Sequence, residues 1–407
     1  MTAPRGSASL PRDDLGPFSS RDGLTVRVLR QIDDIPAADW DALTGSRAVV
    51  RSHAYLRAIA AARLNDCRYY YPVVHGADGR LLAHCCVYVI TTDLLQILPR
   101  RLQGPARWLR RLWPGFLQVR IAECATPHVI GQSFSLAPDA PREELLRALE
   151  QAIARIAEHA SCPLVVVRDF RQDELGELAA FTSAGYATVS NMPMSRIRIR
   201  WSSYADFLAD MKSRYRKDLG RRLRRAAEAG RSIRALQGFS ELAEACSEQV
   251  EGAYARSQGI RRERLGPDYY RAIDSCLRQQ SRLLVAEEAG RMVGHGLLLL
   301  DDAHVVAAWS GREEGPPGDI WFTLLDAAVR LAIERRAEWL NLGLGTYAAK
   351  SLLGAEVEPL FCLVRSRYRL ANFLMRRVPH TMAKSPPAVH HVFRSPAEPV
   401  GEKTRQV

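Results

Sequence analysis

One stretch of this chain is written twice. Gly79-Arg80-Leu81-Leu82-Ala83-His84 returns 211 residues later as Gly290-Arg291-Met292-Val293-Gly294-His295. The echo extends without a gap to VVHGADGRLLAHCCVYV from Val73 against LVAEEAGRMVGHGLLLL from Leu284. In each copy an apolar run enters a polar turn with a Gly-Arg corner and leaves as a second apolar run, which is the pattern of a β-hairpin. A hairpin repeated at this distance constrains the chain to one kind of unit used twice.

The rest of the pattern follows the same division. Each half runs hairpin, strand, long helix, strand. In the first half a strand is predicted from Leu24, helices over 37–43 and 53–61, and the hairpin over 68–91. A strand at 128–136, a helix at 141–159, a strand from Pro163 and a closing strand at 194–199 follow. In the second half helices are predicted over 204–229, ended by Gly230, then 240–257 and 269–279. The second hairpin, HVVAAWSG, a helix at 320–336 and the strands WLNLGLG and PLFCLVRS complete it. Strands with helices between them in two similar halves predict an α/β (α+β) fold of two tandem domains, each a mixed sheet flanked by helices. The expected limits are a disordered leader at 1–23, domains at 24–200 and 201–370, and a basic, Pro-containing tail at 371–407. At 407 residues and 47% hydrophobic content the chain can supply two cores.

Charge is the next constraint. Lys and Arg number 57 against 45 Asp and Glu, for a net +12. The excess is clustered, which points to an anionic partner. Residues 94–122 hold six arginines and no carboxylate. Within them PARWLRRLW begins with Pro105, suited to a first helical turn. Helical spacing puts Trp108, Leu109, Leu112 and Trp113 on one face and Arg107, Arg110 and Arg111 on the other. That is the pattern of an interfacial membrane segment, with Arg107, Trp108, Arg110, Arg111 and Trp113 as its surface residues. A core-packed helix with a charged outer face would show it too. The eight cysteines are scattered with no zinc spacing, so no metal site is expected and they suit a reducing compartment. The N-terminus has no signal-peptide core, and no apolar run approaches the roughly 20 residues of a spanning helix. A cytoplasmic protein, peripheral on the inner membrane face, is the expectation.

A second basic run, Lys212 to Arg225, holds eight basic residues and one acid. Its Arg214-Tyr215-Arg216-Lys217-Asp218-Leu219, together with Leu342-Gly343, Tyr347, Lys350 and Leu353-Gly354 far downstream, resembles GNAT-type acyltransferases. The nearest subgroup is the double-domain one that includes the Fem peptidoglycan-bridge transferases of bacteria. The resemblance spans residues 25–370 and rests on degenerate motifs. It implies acyl transfer from a thioester or ester donor to an amine, with acyl-CoA or an acyl carrier protein as co-substrate and no permanently bound cofactor. It also implies that Lys350 stands near the reacting carbonyl.

Amide formation requires a deprotonated amine, a stabilised oxyanion and aligned reactants. His295, flanked by Gly294 and Gly296 on an apolar strand, is the candidate base, against the alternative of a satisfied core histidine. Lys350, after a glycine turn, is the candidate oxyanion donor, and Tyr347 could share the site. Donor phosphates would be held by Arg214, Arg216 and Lys217, unless the run is only a solvated face. Gly311 and Gly315 before the 320–336 helix are further candidates. Glu313 and Glu314 would repel phosphate there, and Pro316 and Pro317 remove donors, so a plain capping loop competes.

Three functions fit. The first is N-acylation of an amine-bearing lipid at an anionic membrane surface, most specifically a long-chain amino alcohol giving a ceramide-like, sphingolipid-type amide. The second is aminoacyl-tRNA-dependent transfer to a cell-wall precursor, with tRNA as the less favoured partner. The third is a non-catalytic GNAT-like protein that binds an anionic ligand.

Overall fold

The computed structural model describes residues 15–96, 98, 100–256, 264–313, 319–377 and 390–394. The first half contributes strands β1 (Phe18–Ser19), β2 (Thr25–Leu29), β3 (Arg68–His75), β4 (Leu81–His84), β5 (Val87–Asp93), β6 (Gln118–Cys124), β7 (Ser135–Leu136), β8 (Leu164–Phe170), β9 (Ala187–Ser190) and β10 (Met194–Arg198). Its helices are α1 (Ala37–Thr44), α2 (His53–Ala61), α3 (Arg100–Leu112), α4 (Arg142–His159) and α5 (Ala179–Ser183). The second half adds β11 (Ser232–Leu236), β12 (Ser281–Glu288), β13 (Arg291–Leu300), β14 (His304–Arg312), β15 (Trp339–Gly343), β16 (Glu356–Glu358) and β17 (Phe361–Ser366). Its helices are α6 (Tyr204–Asp210), α7 (Ser213–Glu228), α8 (Ala243–Arg256), α9 (Pro267–Leu277), α10 (Asp319–Glu334), α11 (Tyr347–Ser351) and α12 (Arg369–Arg377).

The strands form two mixed sheets flanked by helices, as the duplication predicts. One follows the order β1-β2-β3-β5-β6-β8-β17-β9 and the other β11-β12-β13-β14-β15-β10-β16. Each contains one parallel pair joined by a long crossover helix: β6 and β8 through α4, β14 and β15 through α10. Apolar residues at helical spacing on α4 (Leu145, Leu149, Ala152, Ile156) bury one face against the first sheet. Gly79 and Gly290, the corners of the echo, both take the left-handed conformation at φ +79° and +75°.

The two halves are interlocked. β10 pairs with β15 and β16 of the second sheet, and β17 pairs with β8 and β9 of the first. Residues 194–198 were expected to close the first unit and 361–366 the second. Hydrogen bonding gives each strand to the opposite sheet, because an apolar run carries no mark of which sheet it will join. A shared core seals the halves, with Tyr55, Leu56 and Ile59 of α2 packing with Tyr269, Tyr270 and Ile273 of α9. Across the same boundary Val49 N donates to Asp301 Oδ2 at 3.2 Å and Trp309 Nε1 to the His128 carbonyl at 3.0 Å.

Local differences from the expected pattern have local causes. Only Ser135–Leu136 of the expected strand at 128–136 pairs, since His128 (φ +62°) and Gly131 (φ +158°) turn the chain. The expected helix at 204–229 is two helices, broken where Met211 is extended and bridges Phe393. Residues 15–23 are no disordered leader: Phe18–Ser19 pair with β2, and the Arg155 guanidinium sits 4.1 Å over the Phe18 ring. Residues 1–14 of that leader lie outside the described residues. Helix α3 starts at Arg100, which places Pro105 inside it rather than in the first turn.

Candidate functional site

β14 and β15 pair only over His304–Val306 with Trp339–Asn341 and then part. β15 ends in a turn with positive φ at Gly343 (+67°), Gly345 (+69°) and Thr346 (+46°). Two glycines make that reversal cheap. The turn feeds α11, which carries Tyr347 and Lys350. Lys350 is only 2% exposed, and its Nζ donates to the Leu344 carbonyl at 2.8 Å and the Gly343 carbonyl at 3.4 Å. Burial lowers its ammonium to about 7. An ammonium has three donors, and two of them are used on these carbonyls. The Tyr347 hydroxyl donates to the Pro193 carbonyl at 2.8 Å, and burial raises its ionisation. The structure therefore brings Tyr347 and Lys350 together on one turn.

β10 supplies neighbours that sequence patterns did not flag. Ser195 pairs with Gly343, and its buried hydroxyl has no hydrogen-bond partner among the described residues. Arg196 lies 3.8 Å over the Trp339 ring and pairs with Glu358 at 2.7 Å. Burial raises the Glu358 carboxyl despite that partner. Their signal was absent from the sequence because β10 and β16 meet only through the strand exchange.

The basic run forms a groove. On α7, Tyr215, Leu219 and Ala226 turn inward, and α10 packs beside them. The outer side opens into a groove of about 890 Å³ whose cationic lining is Arg214, Arg216, Lys217, Arg221, Arg224 and Arg330. Its carboxylate, Asp218, is held below the usual range by Arg222 and Arg221, the former at 2.9 Å. Arg214 donates to the Tyr215 hydroxyl at 2.5 Å and Arg216 to the Leu208 carbonyl at 3.2 Å. Arg330 lies 3.5 Å over the Tyr204 ring. Arg214, Arg216 and Lys217 thus share one surface suited to an anion. Lys350 and Tyr347 are not part of its lining.

His295 is elsewhere, in the core shared with the first half. It is fully buried, with Nε2 3.0 Å from the Tyr270 hydroxyl and Nδ1 2.8 Å from Gln249 Oε1. Burial lowers its pKa to about 3. Both nitrogens are occupied and the ring stays neutral, so the expected general base is a satisfied core histidine. Its echo, His84, is equally buried, stacked 3.6 Å from Trp40 and likewise lowered to about 3. Gly311 is corrected with it. A Cβ there would lie 2.7 Å from His295 Cε1 and 2.8 Å from the Gln249 backbone carbon, so this glycine serves close packing and not phosphate binding. Gly311→Ala is expected to destabilise by about 1–3 kcal/mol through overpacking, read from urea unfolding. A Cβ at Gly296 meets nothing within 4 Å, so packing within the chain does not require that glycine. Gly315 lies outside the described residues.

Of the predicted surface helix, Arg107, Trp108, Arg111 and Trp113 are exposed. Arg110 instead turns inward and pairs with both oxygens of Asp93 at 2.7 Å. It anchors the helix, because Asp93 at the end of β5 is the carboxylate within its reach.

The parting of the first half's parallel pair is filled by a polar network. Arg168 donates to Glu123 at 3.1 Å, Asp169 at 2.6 Å and the Tyr88 hydroxyl at 2.7 Å. Tyr88 in turn donates to Glu123 at 2.8 Å, and Asn191 to Asp169 at 2.8 Å.

Comparison with known proteins agrees with this fold. The profile of the FemAB-like family, described as peptidoglycan biosynthesis/recognition, matches residues 118–343. A putative 8-amino-7-oxononanoate synthase 2 from Mycobacterium tuberculosis is 21% identical over 318 residues, which is 76% of this chain. The chain spans only 41% of that relative's length. The crystal structure of FemX superposes with a TM-score of 0.54 at 10% identity, covering 83% of this chain and 98% of FemX. A tandem GNAT protein from the clavulanic acid biosynthesis pathway gives a TM-score of 0.50 at 16% identity, covering 84% and 98%. The family match begins at the first residue of β6 and ends at the last of β15, so it takes in both parallel pairs and more than half of the chain. The chain belongs to the FemAB-like family, and its fold is that of two tandem GNAT-type units.

Proposed function

We propose that the protein transfers an acyl group from acyl-CoA, or an acyl carrier protein, to the amine of a long-chain amino alcohol, giving a ceramide-like amide at the inner membrane face. Lys350 carries the chemistry of this reading: a buried ammonium with one donor to spare, on the turn where a GNAT-type parallel pair parts. The free amine attacks the thioester carbonyl. Lys350 Nζ–H stabilises the tetrahedral oxyanion. Collapse breaks the C–S bond, and the proton released by the new amide nitrogen passes to the departing thiolate, with the Tyr347 hydroxyl able to relay it. The α7 groove holds the donor's phosphates.

The test is to offer acyl-CoA species with candidate amines, following thiol release and product mass. Turnover with long-chain amino alcohols is expected. Lys217→Ala with Arg224→Ala should raise KM for acyl-CoA about tenfold while leaving kcat, and the effect should shrink with salt. The family match favours one second reading, aminoacyl transfer from charged tRNA to a cell-wall precursor. Turnover with charged tRNA and no thiol release with any amine would establish that reading instead.

A further inference from the structure

Two amphipathic helices leave the same end of the first sheet. Asp93 of β5 faces Gln118 of β6, Ile121 faces Leu164 of β8, and Leu164 faces Ser366 of β17. Helix α3 occupies the connection between Asp93 and Gln118, and α12 follows Ser366. Chain order separates them widely, and the strand exchange alone puts them at one end.

Both helices, with the residue just after α3 and the one just before α12, present large apolar side chains to solvent. Trp108, Leu112 and Trp113 are 61%, 68% and 64% exposed, and Tyr368, Leu370 and Phe373 are 59%, 71% and 50% exposed. Large apolar side chains gathered at one end of a sheet mark an interaction surface. Charge identifies the partner. Residues 94–122 and 367–377 contain arginines and no carboxylate, so the complement is an anionic surface. The Arg110–Asp93 pair fixes α3 to the sheet, so its tryptophans are presented on a rigid base.

We propose that this end of the first sheet docks onto an anionic lipid bilayer, with Trp108, Leu112, Trp113, Leu370 and Phe373 inserted among the headgroups and the arginines against lipid phosphate. The inference is independent of which amine is acylated. The experiment is sedimentation of the full chain with phosphatidylcholine vesicles, with and without phosphatidylglycerol. Binding is expected only with phosphatidylglycerol and should weaken with salt. Trp108→Ala/Trp113→Ala and Leu370→Glu/Phe373→Glu should each cut partitioning about tenfold, and all four together should abolish it. Turnover of a short, water-soluble amine checks that each variant is folded. No binding to anionic vesicles, binding that ignores both pairs, or retention of tRNA in place of vesicles would overturn the proposal.

Discussion

Replacing Lys350 with Met is expected to lower kcat by about 10²–10³-fold with little change in KM for the donor, because an oxyanion donor acts mainly in the transition state. Thiol release under saturating acyl-CoA measures it. The wild-type rate should also carry a pH signature. Lys350 has a third, charge-assisted donor beyond its two carbonyl partners only when protonated, and burial holds its pKa at about 7. The donor role is therefore lost as pH rises through about 7, while the fraction of free amine grows. A bell-shaped profile follows, and the Met variant should lose its alkaline limb. The sign for stability is opposite. Above the folded pKa and below the ordinary lysine value of 10.5 the unfolded chain binds the extra proton, so this residue's contribution improves as pH rises through that window. The Met variant should consequently be the more stable protein near neutrality and below. Full turnover in that variant would remove Lys350 from the mechanism.

Arg168→Met carries the largest expected loss of stability. It leaves the Glu123 and Asp169 carboxylates buried without their cation, a change that costs about 3–5 kcal/mol when a buried pair is broken from one side. Urea unfolding at neutral pH should show it. Adding Glu123→Gln and Asp169→Asn should recover part of the loss, since the charges that need the guanidinium are then gone. An Arg168→Met protein as stable as wild type would mean that the network is hydrated.

What could be read from the sequence was what the chain does locally. The repeated hairpin predicted the duplication, because a turn that needs glycine leaves a mark at Gly79 and again at Gly290. The turn at Gly343 and Gly345 pointed to Tyr347 and Lys350 for the same reason. What depends on distant segments left no such mark. Nothing in MSRIR or FCLVRS states which sheet completes its pairing. The break at Met211 depends on Phe393, far along the chain. His295 between glycines looked accessible, yet those glycines include one that admits Ile320 within 2.7 Å of a Cβ position. The buried network around Arg168 joins β5, β6 and β8 and could be assembled only in three dimensions.

The exchange of β10 and β17 also sets the order in which this protein can be born. β9 has β17 as its sheet neighbour, and β17 lies near the far end of the chain. During synthesis the N-terminal half emerges first but must wait, with a strand-wide gap beside β8, until residue 366 has left the ribosome. Domain-by-domain folding on the ribosome is closed to this chain. A nascent chain stopped after residue 200 should expose the edges of β8 and β9 and call on chaperones, whereas in the finished chain β17 covers both edges.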